Sequence, residues 1–282
     1  MSCEKATAPI NISKKNVVGE CSLKCNYNNQ YGVITPIIKN KLDYLALLIN
    51  NNSCKAKYND NDINVKEVRI YQPSLHTFDG KHTDAELLII HMGYGKELIV
   101  SIPITNGTNS SLGNTQINRV LQESFNSTPN ANESSRTTIK DFSLDNIIPK
   151  VGFYAYTGTK PYSPCDGKID YIVFPVENSI KVSSTNLQNL NKIIQNNTMP
   201  VTVNNIFFNK DGPHKRLEDN IYIDCQPVNE SGETVISQSD SNSSTEFENI
   251  DFEKLKPFMY IFIAIGVAIA IDKGFKYIFK KL

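Results

Sequence analysis

Ala85-Glu86-Leu87-Leu88-Ile89-Ile90-His91 holds a short apolar run, 87–90, with polar residues on both sides. Runs of this length, rich in Val, Ile and Tyr, favour strands over helices. Similar runs separated by polar turns recur at 33–35, 44–49, 65–71 and 98–104. The sequence therefore predicts a fold dominated by β-sheet.

Two helices and two further strands are predicted in the second half of the chain. Apolar side chains recur at a spacing of three and four residues at 117–125 and 187–194, which is typical of short amphipathic helices. The stretch Ser183-Ser184-Thr185 is expected to supply the N-cap of the second helix. The apolar runs 152–156 and 169–176 are predicted strands.

The charge of the chain argues against a nucleic-acid partner. The chain carries 29 basic and 29 acidic side chains, and six of these bases but three of these acids follow residue 250. Residues 1–250 are therefore slightly acidic. A broad basic field of the kind that attracts polyanions from a distance is not expected, and any anion site must be local.

The six cysteines predict no metal site. They form no Cys-x-x-Cys pair, and Cys21 and Cys25 lack the downstream Cys/His pair that completes a zinc finger. We expect free thiols or an occasional disulfide, with the pairing left open.

The C-terminal region predicts a membrane anchor. Residues 228–256 are polar and acidic, as in a flexible tether, and 257–279 are mostly apolar, followed by a short basic tail at 280–282. The residues expected to form the membrane anchor include Phe258, Ile261, Ile265, Val267 and Ile271. An interfacial helix or a buried core helix is the alternative. Because the polar N-terminus has no apolar core, we expect no secretory signal, and a tail-anchored protein that faces the cytosol when it inserts.

Several stretches resemble the α-carbonic anhydrase family. Ala8-Pro9-Ile10-Asn11-Ile12 resembles its Ser-Pro-Ile-Asn-Ile start, and 80–91 resembles its Glu-His-Thr-Val-Asp and Ala-Glu-Leu-His-Leu-Val-His segments. Tyr156-Thr157-Gly158-Thr159 is similar to Tyr-Pro-Gly-Ser. The resemblance covers 8 to about 226. It implies a mainly β (α+β) domain over 1–227, with a large twisted, mostly antiparallel sheet and short peripheral helices.

The resemblance also implies that the family's zinc site is lost. The family holds zinc with three histidines, and zinc lowers the pKa of its bound water to about 7. The matching positions are Arg69, Tyr71 and Leu88, so we expect no metal, no cofactor and no catalysis. Four histidines remain, and we expect them to be structural or exposed: His76, His82, His91 and His214.

Within the family, this tail-anchored design resembles the carbonic-anhydrase-like envelope proteins of poxviruses. That resemblance implies a single-pass virion membrane protein whose N-terminal domain lies outside the particle and binds glycosaminoglycans on host cells. Arg69 would place a positive charge at the floor of the former active-site cleft. The expected ligand-binding residues are Arg69, Tyr71, Lys55, Lys57, Tyr162, Lys215 and Arg216. A module that binds a protein partner is the alternative, and a residual enzyme a third hypothesis.

Overall fold

Strands dominate the part of the chain that the computed structural model describes, which is residues 3, 5–21, 24–49, 54–93, 95–128, 130–136 and 141–213. These residues belong to the unit formed by residues 1–222. The predicted tether, membrane anchor and basic tail, together with Lys215, Arg216 and His214, lie outside the described residues.

The described ranges contain sixteen strands, two α-helices and three short 3₁₀ helices. The strands are β1 (Asn11–Ile12), β2 (Val17–Glu20), β3 (Tyr27–Gln30), β4 (Ile37–Asn40), β5 (Leu45–Leu48), β6 (Lys55–Tyr58), β7 (Asn61–Tyr71), β8 (Thr77–Phe78), β9 (Lys81–His82), β10 (Ala85–Gly93), β11 (Lys96–Asn106), β12 (Ser134–Arg136), β13 (Phe153–Gly158), β14 (Ile169–Val173), β15 (Ile180–Val182) and β16 (Ile206–Asn209). The α-helices are α1 (Leu112–Ser127) and α2 (Ser184–Ile193). The 3₁₀ helices are Lys14–Asn16, Leu144–Asn146 and Val176–Asn178.

Thirteen strands form one large twisted sheet, with β12 and β2 at its two ends. The order is β12-β4-β5-β7-β10-β11-β14-β13-β16-β2, with β15 beside β11 and with β6 joining β3 to β7. Within the described chain its pairings are antiparallel except β11 with β14, β11 with β15 and β16 with β2. The sheet is therefore mixed, although mostly antiparallel as predicted. A small second sheet contains β1, β8 and β9.

The predicted elements differ from the observed ones mainly at their ends. Helix α1 begins at Leu112, earlier than predicted, because the side chain of Ser111 caps it. The N-cap of α2 is Ser183, which lies in the stretch predicted to supply it. Neither α1 nor α2, the α-helices of the described ranges, has the length and apolar character of a membrane-spanning helix.

The strand predicted at 33–35 is wrong. Residues 31–36 form no strand. Gly32 has a positive φ of 66°, and Pro36 has no backbone N–H to give to a ladder. The backbone N–H of Ile34 instead bonds the carbonyl oxygen of Phe142 at 2.9 Å.

The two faces of the large sheet bury different side chains. On one face, aliphatic residues of β7 and β10 such as Val68 and Leu87 pack in a core with Ile117 of α1 and Leu187 of α2. We call this the helix face. The opposite face buries Leu88 together with tyrosines, and we call it the tyrosine face: Tyr71, Tyr154, Tyr156 and Tyr171.

Candidate functional site

Strand β7 carries the central residues of the site on the tyrosine face. Side chains alternate along a strand, so Glu67, Arg69 and Tyr71 project to the same side. Arg69 lies opposite Ala46 of β5 and opposite Leu88 of β10. Because β7 is paired with a strand on each side, the backbone position of Arg69 is fixed in the middle of the sheet.

The guanidinium of Arg69 lies against two tyrosine rings. Its Cζ atom is 4.4 Å from the centroid of Tyr44 and 4.0 Å from the centroid of Tyr162. Cations at these distances are attracted by the negative face of an aromatic ring. We call the five residues at this place the arginine cluster: Tyr44, Glu67, Arg69, Tyr71 and Tyr162.

Glu67 compensates the positive charge of Arg69. Its Oε2 accepts from Arg69 Nε at 2.9 Å and lies 2.8 Å from Arg69 Nη2. Arg69 Nη1 donates to the hydroxyl of Tyr71 at 3.3 Å. The side chains of Arg69 and Glu67 are 12% and 11% exposed. Arg69 is thus not an isolated cation at the floor of a cleft but half of an ion pair near the surface.

The tyrosines of the cluster are neutral at physiological pH. Burial raises the pKa of Tyr44, Tyr71 and Tyr162, and the nearby Arg69 charge only partly opposes this effect. The cluster therefore offers neutral rings, phenol hydroxyls and one compensated guanidinium.

The loop that carries Tyr162 is fastened to the N-terminal segment. It connects β13 and β14, and its Cys165 forms a disulfide with Cys3. Thr7 and Thr159 each donate a backbone N–H to the other's hydroxyl, both at 3.1 Å. These contacts hold the Tyr162 ring in place over Arg69.

A second polar cluster lies deeper on the same face. The Oε2 of Glu86 accepts the backbone N–H groups of Leu75 and His76 at 2.6 and 2.9 Å. Its Oε1 lies 2.5 Å from His76 Nδ1 and accepts from the hydroxyl of Ser101. His76 Nε2 bonds Tyr156 at 2.7 Å. We call Glu86, His76, Ser101 and Tyr156 the glutamate–histidine network.

The network keeps Glu86 charged. Burial raises the pKa of Glu86, but His76 and the hydrogen bonds from His76 and Ser101 outweigh burial and hold the pKa below its usual range. The side chains of His76 and Glu86 are both fully buried. Because each has its partners inside the protein, the network is suited to stability and not to binding.

His91 belongs to a third buried group. Its Nε2 bonds the hydroxyl of Tyr31 at 2.7 Å and its Nδ1 bonds the carbonyl oxygen of Leu98 at 3.2 Å. Burial lowers the pKa of His91 to about 4, so the ring is neutral. His82, on β9, bonds the carbonyl oxygen of Ser74 at 2.7 Å. The three described histidines therefore have separate structural partners.

The structure brings only some of the predicted site residues together. Arg69, Tyr71 and Tyr162 meet in the arginine cluster. Lys55 and Lys57 are exposed on β6, where they pair with Asn64 and Asp62 at the other end of β7. They share the sheet side of Arg69 but do not contact it.

Sequence reasoning missed Tyr44 and Glu67. Glu67 had a usable signal, since it stands two residues before Arg69 in a predicted strand and must share its face. No sequence pattern indicated Tyr44, because it precedes β5 and reaches Arg69 only through the pairing of β5 with β7.

Comparison with known proteins identifies the family. A family model of eukaryotic-type carbonic anhydrases matches residues 2–216. The chain belongs to this family. A search of curated proteins found no match.

Solved carbonic-anhydrase structures have the same fold. An α-carbonic anhydrase from Thermovibrio ammonificans, in complex with sulfanilamide, is 18% identical with a TM-score of 0.62, covering 73% of this chain and 88% of that one. Dioscorin, in complex with ascorbate, gives the same identity and TM-score over 73% and 86%. Carbonic anhydrase Cah3 from Chlamydomonas reinhardtii, in complex with acetazolamide, is 18% identical with a TM-score of 0.60 over 74% and 91%. At this identity the likeness concerns the fold alone.

The side chains of the cluster do not fit the zinc ion of a carbonic anhydrase. Arg69 has no lone pair to give, because a guanidinium stays protonated, and the fully buried Leu88 opposite has no donor atom. Glu67, the nearby carboxylate, is paired with Arg69. In the described ranges no group of three or more His, Cys, Asp or Glu is placed to hold a metal ion.

Proposed function

We propose that this carbonic-anhydrase-family protein is non-catalytic and attaches a virus particle to host cells by binding a sulfated glycosaminoglycan. Residues 257–279 anchor it in the virion membrane, and the domain of residues 1–227 lies outside the particle. Support for this topology comes from the polar N-terminus, the acidic tether and the apolar C-terminal segment with Lys280 and Lys281 behind it.

The loss of catalysis is proposed from the residues at the zinc positions. The resemblance to α-carbonic anhydrases aligns Arg69, Tyr71 and Leu88 with the three histidine ligands. None of the three offers the neutral nitrogen that zinc needs at these positions. A residual enzyme must hold zinc, so metal analysis of the purified full-length protein tests this part. One zinc per chain would contradict it.

The observation that carries the proposed ligand is the arginine cluster. Glu67 and Tyr71 use three of the five N–H groups of Arg69, so two remain for the oxygens of a sulfate. The guanidinium lies over one face of each of the Tyr44 and Tyr162 rings, and aromatic rings can also stack on the apolar faces of sugars.

Lysines on the same side of the sheet supply the net positive charge that the cluster lacks. Lys39 of β4 pairs with Ala46, which pairs with Arg69, so Lys39 lies two strands away on the same side. Lys55 and Lys57 of β6 project to this side, and among the ion pairs of the described residues Lys57 pairs with Asp62 at 3.9 Å. An extended sulfated chain crossing these strands meets cations and rings in turn.

The test compares two double variants of the full-length protein on immobilised chondroitin sulfate and heparan sulfate. Lys55→Glu/Lys57→Glu changes the proposed surface. Lys14→Glu/Lys15→Glu makes the same charge change on exposed residues next to β2, at the far end of the sheet. We expect the first variant to lose roughly tenfold or more in affinity and the second to lose little. Equal losses would show attraction by overall charge and would contradict a built site.

A protein partner is the second hypothesis, and the ion pair favours it. An arginine whose charge is already compensated, held between tyrosines, resembles the Arg and Tyr anchors of protein interfaces. Such an interface depends little on ionic strength, whereas a sulfate site weakens steeply as salt rises. Salt dependence therefore separates the two hypotheses.

A further inference from the structure

A polar cleft lies away from the arginine cluster, between the start of α1, strand β15 and the segment before β13. It has a volume of about 290 Å³, and a neighbouring open cleft of about 670 Å³ shares Asn109 with it. The smaller cleft is lined by polar residues such as Asn109, Ser111 and Asn178, together with apolar residues of the segment before β13 such as Ile147 and Ile148. Amides and hydroxyls of this kind are suited to sugar hydroxyls.

Lys181 places a half-buried positive charge in the wall of this cleft. Its Nζ donates to the hydroxyl of Thr105 at 2.8 Å and to that of Ser179 at 3.0 Å. An ammonium has three N–H donors, so one is left over. In the described part of the chain no carboxylate lies within ion-pair distance of Lys181. A partly desolvated cation without a counter-charge is unfavourable, and an anion bound in the cleft removes that penalty.

The backbone around Lys181 is held rigidly by α1. Asn114 Oδ1 accepts the backbone N–H of Lys181 at 3.0 Å, and Asn118 Nδ2 donates to its carbonyl oxygen at 3.0 Å. Gly113 lets α1 approach the wall on the other side, because a Cβ there would collide with the carbonyl oxygen of Asn146. The ammonium is therefore positioned before any ligand arrives, which lowers the cost of binding.

Two further cations line these two clefts. Lys150 lines the same cleft and Arg119 lines the neighbouring one, and both are exposed. Glu177 is the acidic residue in the lining of the smaller cleft. The three cations exceed the one acid, so the local charge favours an anion even though residues 1–250 are slightly acidic as a whole.

We propose that this cleft is a second binding site, a sulfate subsite for a sulfated sugar, centred on Lys181 and Lys150. The subsite rests on the proposed glycosaminoglycan function and deepens it, since it names a separate place where one sulfate is held. Its size, near the lower end of the roughly 300–1,000 Å³ usual for ligand pockets, suits a single sulfated sugar unit.

Inorganic sulfate tests the subsite without any glycosaminoglycan. In TROSY spectra of the isotope-labelled full-length protein, sodium sulfate is titrated against sodium chloride at equal ionic strength. We expect saturable shifts of the amide signals of Ser179 and Lys181 with sulfate and not with chloride. Lys181→Gln should abolish them, Lys181→Arg should retain them as the charge-conserving control, and Lys168→Gln, at an exposed lysine outside the cleft, should leave them unchanged.

Chondroitin sulfate then separates the subsite from the proposed function. We expect Lys150→Gln/Lys181→Gln to weaken binding roughly tenfold while the variant keeps the wild-type circular dichroism. No saturable sulfate shift, or sulfate shifts without any loss of chondroitin sulfate binding in the double variant, would overturn the subsite. Wild-type protein that shows the sulfate shifts but binds no glycosaminoglycan would support the anion site and contradict the proposed function.

Discussion

The glutamate–histidine network and the arginine cluster lie on the same face of the sheet, and in both a glutamate carboxylate is paired with a nitrogen-bearing side chain. His76 and Glu86 are 2.5 Å apart and fully buried, whereas Arg69 and Glu67 are 2.8 Å apart and 12% and 11% exposed. In the buried pair every interaction is internal and ties the turn after β7 to β10. In the other, two guanidinium N–H groups are left for the ligand proposed above. The buried pair is therefore suited to stabilising the fold, whereas the proposed ligand contacts depend on the more exposed pair.

Breaking the buried pair should have the largest effect. We expect Glu86→Ala to lower the free energy of unfolding by about 3–5 kcal/mol, because His76 and two backbone N–H groups lose their acceptor in the interior. Urea denaturation followed by circular dichroism measures the loss. A loss below about 1 kcal/mol would remove the distinction drawn between the two clusters.

Breaking the outer pair should cost less. Arg69→Met leaves the Glu67 carboxylate without its partner and removes two cation–π contacts, so we expect a loss of about 2 kcal/mol. The double variant Arg69→Met/Glu67→Met should recover most of this stability, because no unpaired carboxylate remains. A double-mutant cycle in urea provides the measurement. Additive losses would mean that the two side chains act independently.

Lowering the pH should reduce the free energy of unfolding through the buried His91. Its folded pKa of about 4 lies below the value near 6.5 of an unfolded histidine, so the unfolded chain binds more protons between these values. The stability contributed by neutral His91 is present above pH 6.5 and is lost as the pH falls toward 4. Between pH 7 and 5.5 we expect a loss of about 1 kcal/mol.

The variant His91→Gln isolates that contribution. Its unfolding free energy should change less between pH 7 and 5.5 than that of the wild type. An unchanged slope in His91→Gln would assign the pH dependence to other groups.

The exposed lysines should have the smallest effect on stability. Lys55 and Lys57 project into solvent, so Lys55→Glu/Lys57→Glu should change the free energy of unfolding by about 0.5 kcal/mol or less. Thermal unfolding of the variant used in the glycosaminoglycan test checks this. A larger loss would mean that its weaker binding reports a damaged fold.

Much of the fold could be predicted because most strands are indicated by short runs of neighbouring residues. The apolar runs around 85–91 and 98–104 lie in β10 and β11, and Ser183 is the N-cap of α2. Alternation alone failed in β7. Val65 lies on the helix face although it is two residues from Glu67, because the pairing with β10 shifts between Ile90 and His91.

The site was harder to predict because it depends on contacts between distant segments. Tyr44 and Tyr162 reach Arg69 from loops that precede β5 and follow β13, and only the sheet order brings those loops together. The sequence predicted Arg69 as an uncompensated cation, whereas in the structure Glu67 is paired with it. An isolated cation and a compensated one bind anions differently. Such neighbours are set by register and loop path, which no local pattern encodes.

The most direct test of the proposed function is the affinity of the full-length protein for chondroitin sulfate over a range of sodium chloride concentrations. If sulfates are held by Arg69 and by the lysines on the same side of the sheet, binding is saturable at low salt and weakens steeply as ionic strength rises toward physiological values. The absence of binding at low salt, or an affinity that does not change with salt, would contradict the account.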